Sequence, residues 1–302
     1  VEQPRGGPSR RLLLLGGGAV VVTGGLAALV ANGLRLDLPE PPPPVPTRRR
    51  APDEQLLVAV IRDLDELAER WPTASKPAAL EQCHDLVDEQ RRVIVGRLTN
   101  EGVPTEEITG RPMPSAAARQ PLTPPRLAER LAALPETHLD ATTSASAGTR
   151  GLLSAAYGTV LTCAGLLGEE VAPKPEPTPV RAALAERTSP LVYAFEVVAA
   201  QSTGTQRRRA LEALDRLRRL DRLVAQSGTA GGWSLPHPVT DQRSARRLGD
   251  TVLSRAISAA SEVLGDSPTR ESIIDVARWL AALQLAAAPW GLAPEAFPGL
   301  EA

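Results

Sequence analysis

Imidazoles are scarce in this 302-residue chain, which carries only His84, His138 and His237. A di-metal carboxylate bundle needs Glu-x-x-His from each of two helices and a Glu from each of two more. Three histidines, one of them held between prolines in "LPHP", supply little of that set. Aromatic residues make up 3% of the chain, while Ala, Leu and Arg are abundant. Strands favour aromatic and β-branched residues and helices favour Ala, Leu and Arg, so an all-α class is expected. Charge of one sign is lacking too: 34 basic side chains face 35 acidic ones, a net charge of -1. That balance excludes the strong positive field that nucleic acid attracts, so no nucleic-acid partner is expected. Two cysteines, Cys83 and Cys163, are too few for a disulfide framework and lack C-x-x-C spacing. In an oxidising compartment they could pair with each other; otherwise they serve as small buried apolar residues. The chain has no G-x-S-x-G elbow, no G-x-x-x-x-G-K-[ST] phosphate loop and no H-E-x-x-H, which leans away from an enzyme.

What the sequence does contain begins with an address. In "PSRRLLLLGGGAVVVTGGLAALVANGL", Arg10 and Arg11 precede 23 uncharged residues, Leu12 to Leu34. At about 1.5 Å per residue such a helix reaches about 35 Å, enough for a hydrocarbon core of about 30 Å. Flanking arginines hold its start in the cytoplasm. "SRRLLLL" resembles a twin-arginine export signal, so residues 1–36 are expected to form that signal or a membrane anchor. Residues 37–52, with "LPEPPPPVPTRRR", read as a stiff proline-rich spacer. The remainder is expected to lie at the cell membrane or outside the cytoplasm, exported by the twin-arginine route.

Beyond the spacer, apolar residues recur at helical spacing. A first helix is expected over about 53–70, with Leu57, Ile61, Leu64 and Ala68 on one stripe and Trp71-Pro72 as its stop. A second runs over about 77–98. "TNEGVPTEEITGRPMPSAAARQPLTPP" reads as a long loop. A short helix near 125–134 and one over about 147–168, rich in small residues, complete a helical domain of 53–170. "EEVAPKPEPTPV" contains the linker, 171–179. In the C-terminal domain, 180–302, a segment starting near Arg181 is interrupted or restarted at Pro190. "TQRRRALEALDRLRRLDRLVAQSG" forms an amphipathic helix burying Ala210, Ala213, Leu214, Leu217, Leu220 and Val224. A third helix starts at Thr240/Asp241 and ends at Gly265. A fourth starts at Ser267-Pro268 and carries only Asp275 and Arg278 as charges in "IIDVARWLAALQLAAAPW", so other helices should enclose it. Short connections among these helices describe an antiparallel bundle.

Two stretches invite a metal reading. "EQCHDLVDEQ" holds the one Glu-x-x-His, Glu81 and His84. At about 100° per residue, Leu80, Cys83, Leu86, Val87, Val93 and Ile94 define the apolar arc; His84 falls at its edge and Glu81 about 60° further toward the polar side. The pair therefore belongs to the helix shoulder, where water competes. Glu196 is the other candidate, a single carboxylate inside "LVYAFEVVAAQ" that should find an Arg, a hydroxyl or a metal if buried. Tyr193 and Phe195 beside it read as core packing.

Residues of about 180–302 resemble a bacterial ferritin-like domain of unknown function, through "LVYAFEVVAAQ", "LPHPVTD" followed by "ARRL", and the closing "PEAFPGL". The resemblance implies a four-helix, ferritin-like bundle outside the cytoplasm. That family carries a Glu-His pair shortly before the Tyr-Ala-aromatic stretch; here Thr188-Ser189 stand in its place. The expectation is an envelope-associated helical protein without a working di-iron site and without a required cofactor, serving an interaction or structural role. Its partners would be the membrane, through the N-terminal helix, and another protein or a second copy of itself. The alternative is a ferritin-like oxidoreductase or metal-storage protein holding iron or manganese at Glu81, His84, Glu196 and acids of the first helix. A lipid- or cell-wall-binding module is a third reading.

Overall fold

Apolar stripes at a 3.6-residue period need a partner face to bury them, and every regular element among the described residues is helical, so the helices bury one another. The computed structural model describes residues 48–72, 77–110, 120–171, 178–224, 233–265 and 269–300. Arg10, Arg11, the apolar run and the proline-rich spacer up to residue 47 lie outside the described residues. Among the described residues there is no strand, and no helix is long and apolar enough to cross a membrane.

In chain order the helices are α1 (Glu54–Glu69), α2 (Ala78–Asn100), α3 (Thr105–Thr109), α4 (Pro124–Ser144), α5 (Ala147–Leu166), α6 (Arg181–Ala200), α7 (Gly204–Val224), α8 (Gln242–Ser258), α9 (Ser261–Leu264) and α10 (Arg270–Ala287), followed by a 3-10 turn, Ala288–Trp290. All belong to the unit Arg50–Ala302. Two hydrophobic clusters fill it. One gathers α1 to α5, including Leu57, Ile61, Ile94, Leu131 and Tyr157. The other gathers α6 to α9, including Phe195, Leu217, Leu248 and Trp290. Helix α10 serves both: Ile273, Ile274, Ala277 and Ala281 enter the first cluster, Val276, Trp279, Leu280 and Leu283 the second. Its near absence of charge is thereby explained, because a helix buried on two sides has no solvated face. The helices of the 53–170 and 180–302 segments therefore share one buried element.

Helix α5 meets α10 closely because its residues are small. A Cβ at Gly158 would sit 2.9 Å from Leu280 Cβ, inside van der Waals contact. Any side chain there would push the two helices apart, at a cost of about 1–3 kcal/mol.

Several boundaries differ from the sequence expectation, each for a tertiary reason. Helix α4 does not stop at Leu134 but continues through Pro135 to Ser144. Leu131, Leu134, His138 and Thr142 stay on one buried stripe across the proline, and that packing outweighs the lost backbone bond. Helix α6 likewise runs unbroken through Pro190. The expected loop after α2 contains α3, whose Ile108 is buried in the first cluster; residues 111–119 of it lie outside the described residues. Leu67, not Ala68, extends the α1 stripe. Helix α10 is capped by Thr269, whose Oγ1 accepts from the backbone N–H of Ser272 at 3.1 Å. The cap expected at Ser267-Pro268 lies outside the described residues. Helix α8 begins at the expected Asp241, which forms a reciprocal capping box with Ser244. It ends at Ser258, and the single-turn α9 carries the chain on to Gly265.

Candidate functional site

Glu81 and His84 sit on the outer face of α2, where the helical period placed them. Both are exposed, and the His84 side chain retains 46% of its accessible surface. The imidazole stands edge-on to Trp71, ring centroids 5.4 Å apart. Its Nδ1 lies 3.7 Å from Asp85 Oδ1, too far for a hydrogen bond. Glu81 lines a shallow surface depression with Gln82 and Asp85.

Glu196 belongs to α6, and its surroundings correct the expectation of a buried carboxylate. The apolar run "LVYAFEVVAAQ" wraps a helix, so the position falls on the outward face and is exposed. Arg218 Nη2 of α7 donates to Glu196 Oε1 at 2.7 Å, both side chains being about half exposed (50% and 47%). Its neighbour Phe195 points inward and is fully buried, edge-on to Trp290 at 5.5 Å between ring centroids. Tyr193 is half-buried against Trp233, 6.2 Å between centroids. Glu81 and His84 on α2 and Glu196 on α6 thus decorate two helices that belong to different clusters. Among the described residues, no three His, Cys, Asp or Glu side chains gather where one metal ion could bind them.

Three polar assemblies that no short-range signal marks lie deeper. The first starts at His138, which faces inward from α4. Its Nε2–H donates to Asp63 Oδ2 of α1 at 2.9 Å, across 75 positions of sequence. Thr142, one turn on, donates to the carbonyl of His138 at 2.8 Å. With that proton committed, the Tyr157 hydroxyl is the donor in its 3.1 Å bond to Thr142. Burial pushes the Tyr157 phenol well above its ordinary range, so it remains a neutral donor. His138 also forms part of the floor of a surface depression between α1 and α4, with Glu54, Gln55, Ala59 and Ala141.

The second assembly is a buried ion pair. Asp275 of α10 and Arg181 at the start of α6 are each 2% exposed. Arg181 clasps the carboxylate with two donors, Nε to Oδ2 at 2.7 Å and Nη2 to Oδ1 at 2.9 Å. Thr178 adds a third hydrogen bond to Oδ2 at 2.6 Å, and Arg181 Nη1 donates to the carbonyl of Leu223 in α7. One side chain therefore ties three helices. Bidentate geometry with the remaining lone pairs satisfied is the condition under which a buried ion pair is tolerated.

The third assembly holds the closing segment. Gln90, fully buried in α2, donates to the carbonyls of Ala156 at 2.9 Å and Ala296 at 2.8 Å. Gln284 of α10 accepts from the backbone N–H of Glu295 at 2.6 Å and donates to Thr162 at 3.1 Å. Thr159 of α5 donates to the carbonyl of Glu295 at 2.6 Å. Phe297 then packs against both clusters. "PEAFPGL" is thus a strap whose backbone is read by three buried side chains. The glutamine at position 90 could have been singled out as a polar residue on the apolar arc of α2; its partners could not.

Comparison with protein-family models, curated proteins and solved structures finds no match. The chemistry of these groups must therefore be read from their own geometry. His138 and Asp275 each have a partner on another helix, whereas the buried Glu54 accepts locally from the backbone N–H of Ala51 at 2.9 Å.

Proposed function

We propose that this chain is an exported, envelope-associated helical protein with an interaction or structural role, its C-terminal part a four-helix, ferritin-like bundle without a working di-iron site. One observation carries the reading: Glu81 and His84 lie exposed on α2, apart from Glu196, while Glu196 and the deeper ionisable groups are engaged in links between helices. Glu196 is paired with Arg218, Asp275 with Arg181 and His138 with Asp63. Such pairings fix helix positions, and Glu81 stands on the surface of α2 with Gln82 and Asp85 beside it. The bundle assignment draws support from the grouping of α6, α7, α8 and α10 around one hydrophobic cluster. Export draws support from "SRRLLLL" and the uncharged run after it.

In the competing reading, a metal-binding oxidoreductase or storage protein, iron or manganese would have to displace Arg218 from Glu196 and recruit Glu81 and His84 from another helix. Export is tested by expressing the full chain and the variant Arg10→Lys/Arg11→Lys in a twin-arginine-competent bacterium, then treating intact spheroplasts with protease. The proposal predicts digestion of the wild-type chain and protection of the variant. Equal digestion of both would remove the twin-arginine assignment, and protection of both would remove export itself.

A further inference from the structure

The two cysteines are 80 positions apart, on α2 and α5, yet they meet. Cys83 Sγ lies 3.8 Å from the carbonyl oxygen of Cys163, the range of a thiol hydrogen bond, which puts the two cysteines side by side in the core. Both are thiols in the structure and both have no exposed surface. They are also the only cysteines in the chain, so an oxidised product has one intramolecular connectivity. A pair of small apolar residues would fill the same space. Nothing in that role, however, requires two cysteines to be neighbours across a helix interface.

We propose that Cys83 and Cys163 are a modification site, closed into a disulfide that staples α2 to α5 when the chain meets a thiol oxidant. The step is thiol–disulfide exchange. A thiolate of the pair attacks the disulfide of an oxidant such as oxidised glutathione, forming a mixed disulfide and releasing one equivalent of the oxidant as thiol. The second cysteine, deprotonated, displaces the remaining oxidant sulfur and forms the Sγ–Sγ bond. Two cysteine protons and two electrons leave with the two reduced oxidant thiols.

Burial controls when this happens. The Cys163 thiol is pushed well above its ordinary range, first by its hydrogen bond with Cys83 and then by removal from water. Inside the closed core it stays protonated and unreactive. Oxidation therefore requires α5 to open from α2, during folding or in a local unfolding event. Once made, the bond is shielded from reductants by the same packing. This proposal stands independently of the export and ferritin-like readings, because the geometry needs only an oxidant.

The test uses the native full chain, never unfolded, held in a glutathione redox buffer with sub-denaturing urea so that the core opens transiently. Thiols are then counted by maleimide labelling under full denaturation, and the protein is digested for mass spectrometry without reductant. The proposal predicts no labelled cysteine and a linked peptide pair containing Cys83 and Cys163. It also predicts a melting temperature roughly 5–15 °C above that of the same sample after reduction. The variant Cys83→Ala/Cys163→Ala should be indifferent to reductant. Two labelled thiols in wild type, glutathione adducts without a linked peptide, or a bridge that lowers the melting temperature would each overturn it.

Discussion

The two hydrophobic clusters treat buried polarity differently. Around α5 the deep polar groups are neutral: Gln90, Thr142, Tyr157 and Thr159 exchange hydrogen bonds with each other and with backbone carbonyls. The inter-helix ionisable pairs there sit at the rim: the Asp63 side chain of Asp63–His138 is 34% exposed, and the side chains of Arg91–Asp65 are 33% and 20% exposed. Around α6 the arrangement is inverted, with a full ion pair, Arg181–Asp275, enclosed at 3% side-chain exposure on either side. A neutral network loses one hydrogen bond at a time when it is disturbed. An enclosed ion pair loses everything at once, since the surviving charge is stranded in a medium that cannot solvate it. The C-terminal cluster should therefore be brittle at one point and the N-terminal cluster should degrade by steps.

The largest expected effect follows directly. Asp275→Ala leaves the Arg181 guanidinium buried without its carboxylate, and should cost about 3–5 kcal/mol in urea unfolding of the full chain. Gln90→Leu is the matched disturbance in the other cluster. It removes the donors to the carbonyls of Ala156 and Ala296, the former keeping its bond within α5, at about 1–3 kcal/mol. It should also free the strap, read as faster amide exchange at residues 294–300. A loss equal to that of Asp275→Ala would erase the distinction between the clusters.

A smaller effect is expected at the start of α1, and it is set by pH. Burial would raise the Asp53 carboxyl, but hydrogen bonds from Ser146 and Thr149 and the charge of Arg97 hold it below its ordinary 3.8. A carboxylate with a depressed folded-state pKa stabilises the fold above its unfolded value, and that gain disappears as pH falls through the folded value. The difference in stability between wild type and Asp53→Asn should thus be constant above about pH 5 and shrink in acid below 3.8. Growth of that difference in acid would reverse the assignment. The smallest effect is assigned to Glu196→Ala: its partner Arg218 is half exposed, and such surface pairs contribute at most about 1 kcal/mol.

Much of this architecture is legible in the sequence, because helical periodicity is a local property. All six residues expected to be buried on α7 are buried, and α8 starts at its expected cap. The low charge of α10 anticipated its enclosure. Periodicity also placed Glu81 and His84 on the shoulder of α2, as found. Pro190 misled, and the helix expected near 125–134 was drawn short of Ser144, because a local breaker is overruled when the flanking stripe is buried on one continuous face. Glu196 has the arginine partner expected of it, Arg218, but on the outward face: a largely apolar run of eleven residues wraps around a helix, so one member must face outward. The Asp63–His138, Arg181–Asp275 and Gln90–Ala296 contacts were invisible, since each joins residues far apart in sequence whose meeting depends on the complete packing.

All of this converges on the claim that the acids and imidazoles singled out as metal ligands instead occupy the surface of separate helices or bind protein partners. Elemental analysis of the full chain decides it, after equilibration with ferrous iron or manganese and removal of free metal. Wild type is compared with the variant Glu81→Ala/His84→Ala/Glu196→Ala. The account predicts sub-stoichiometric metal, equal in the two proteins. One or two equivalents of metal in wild type, lost in the variant, would contradict it.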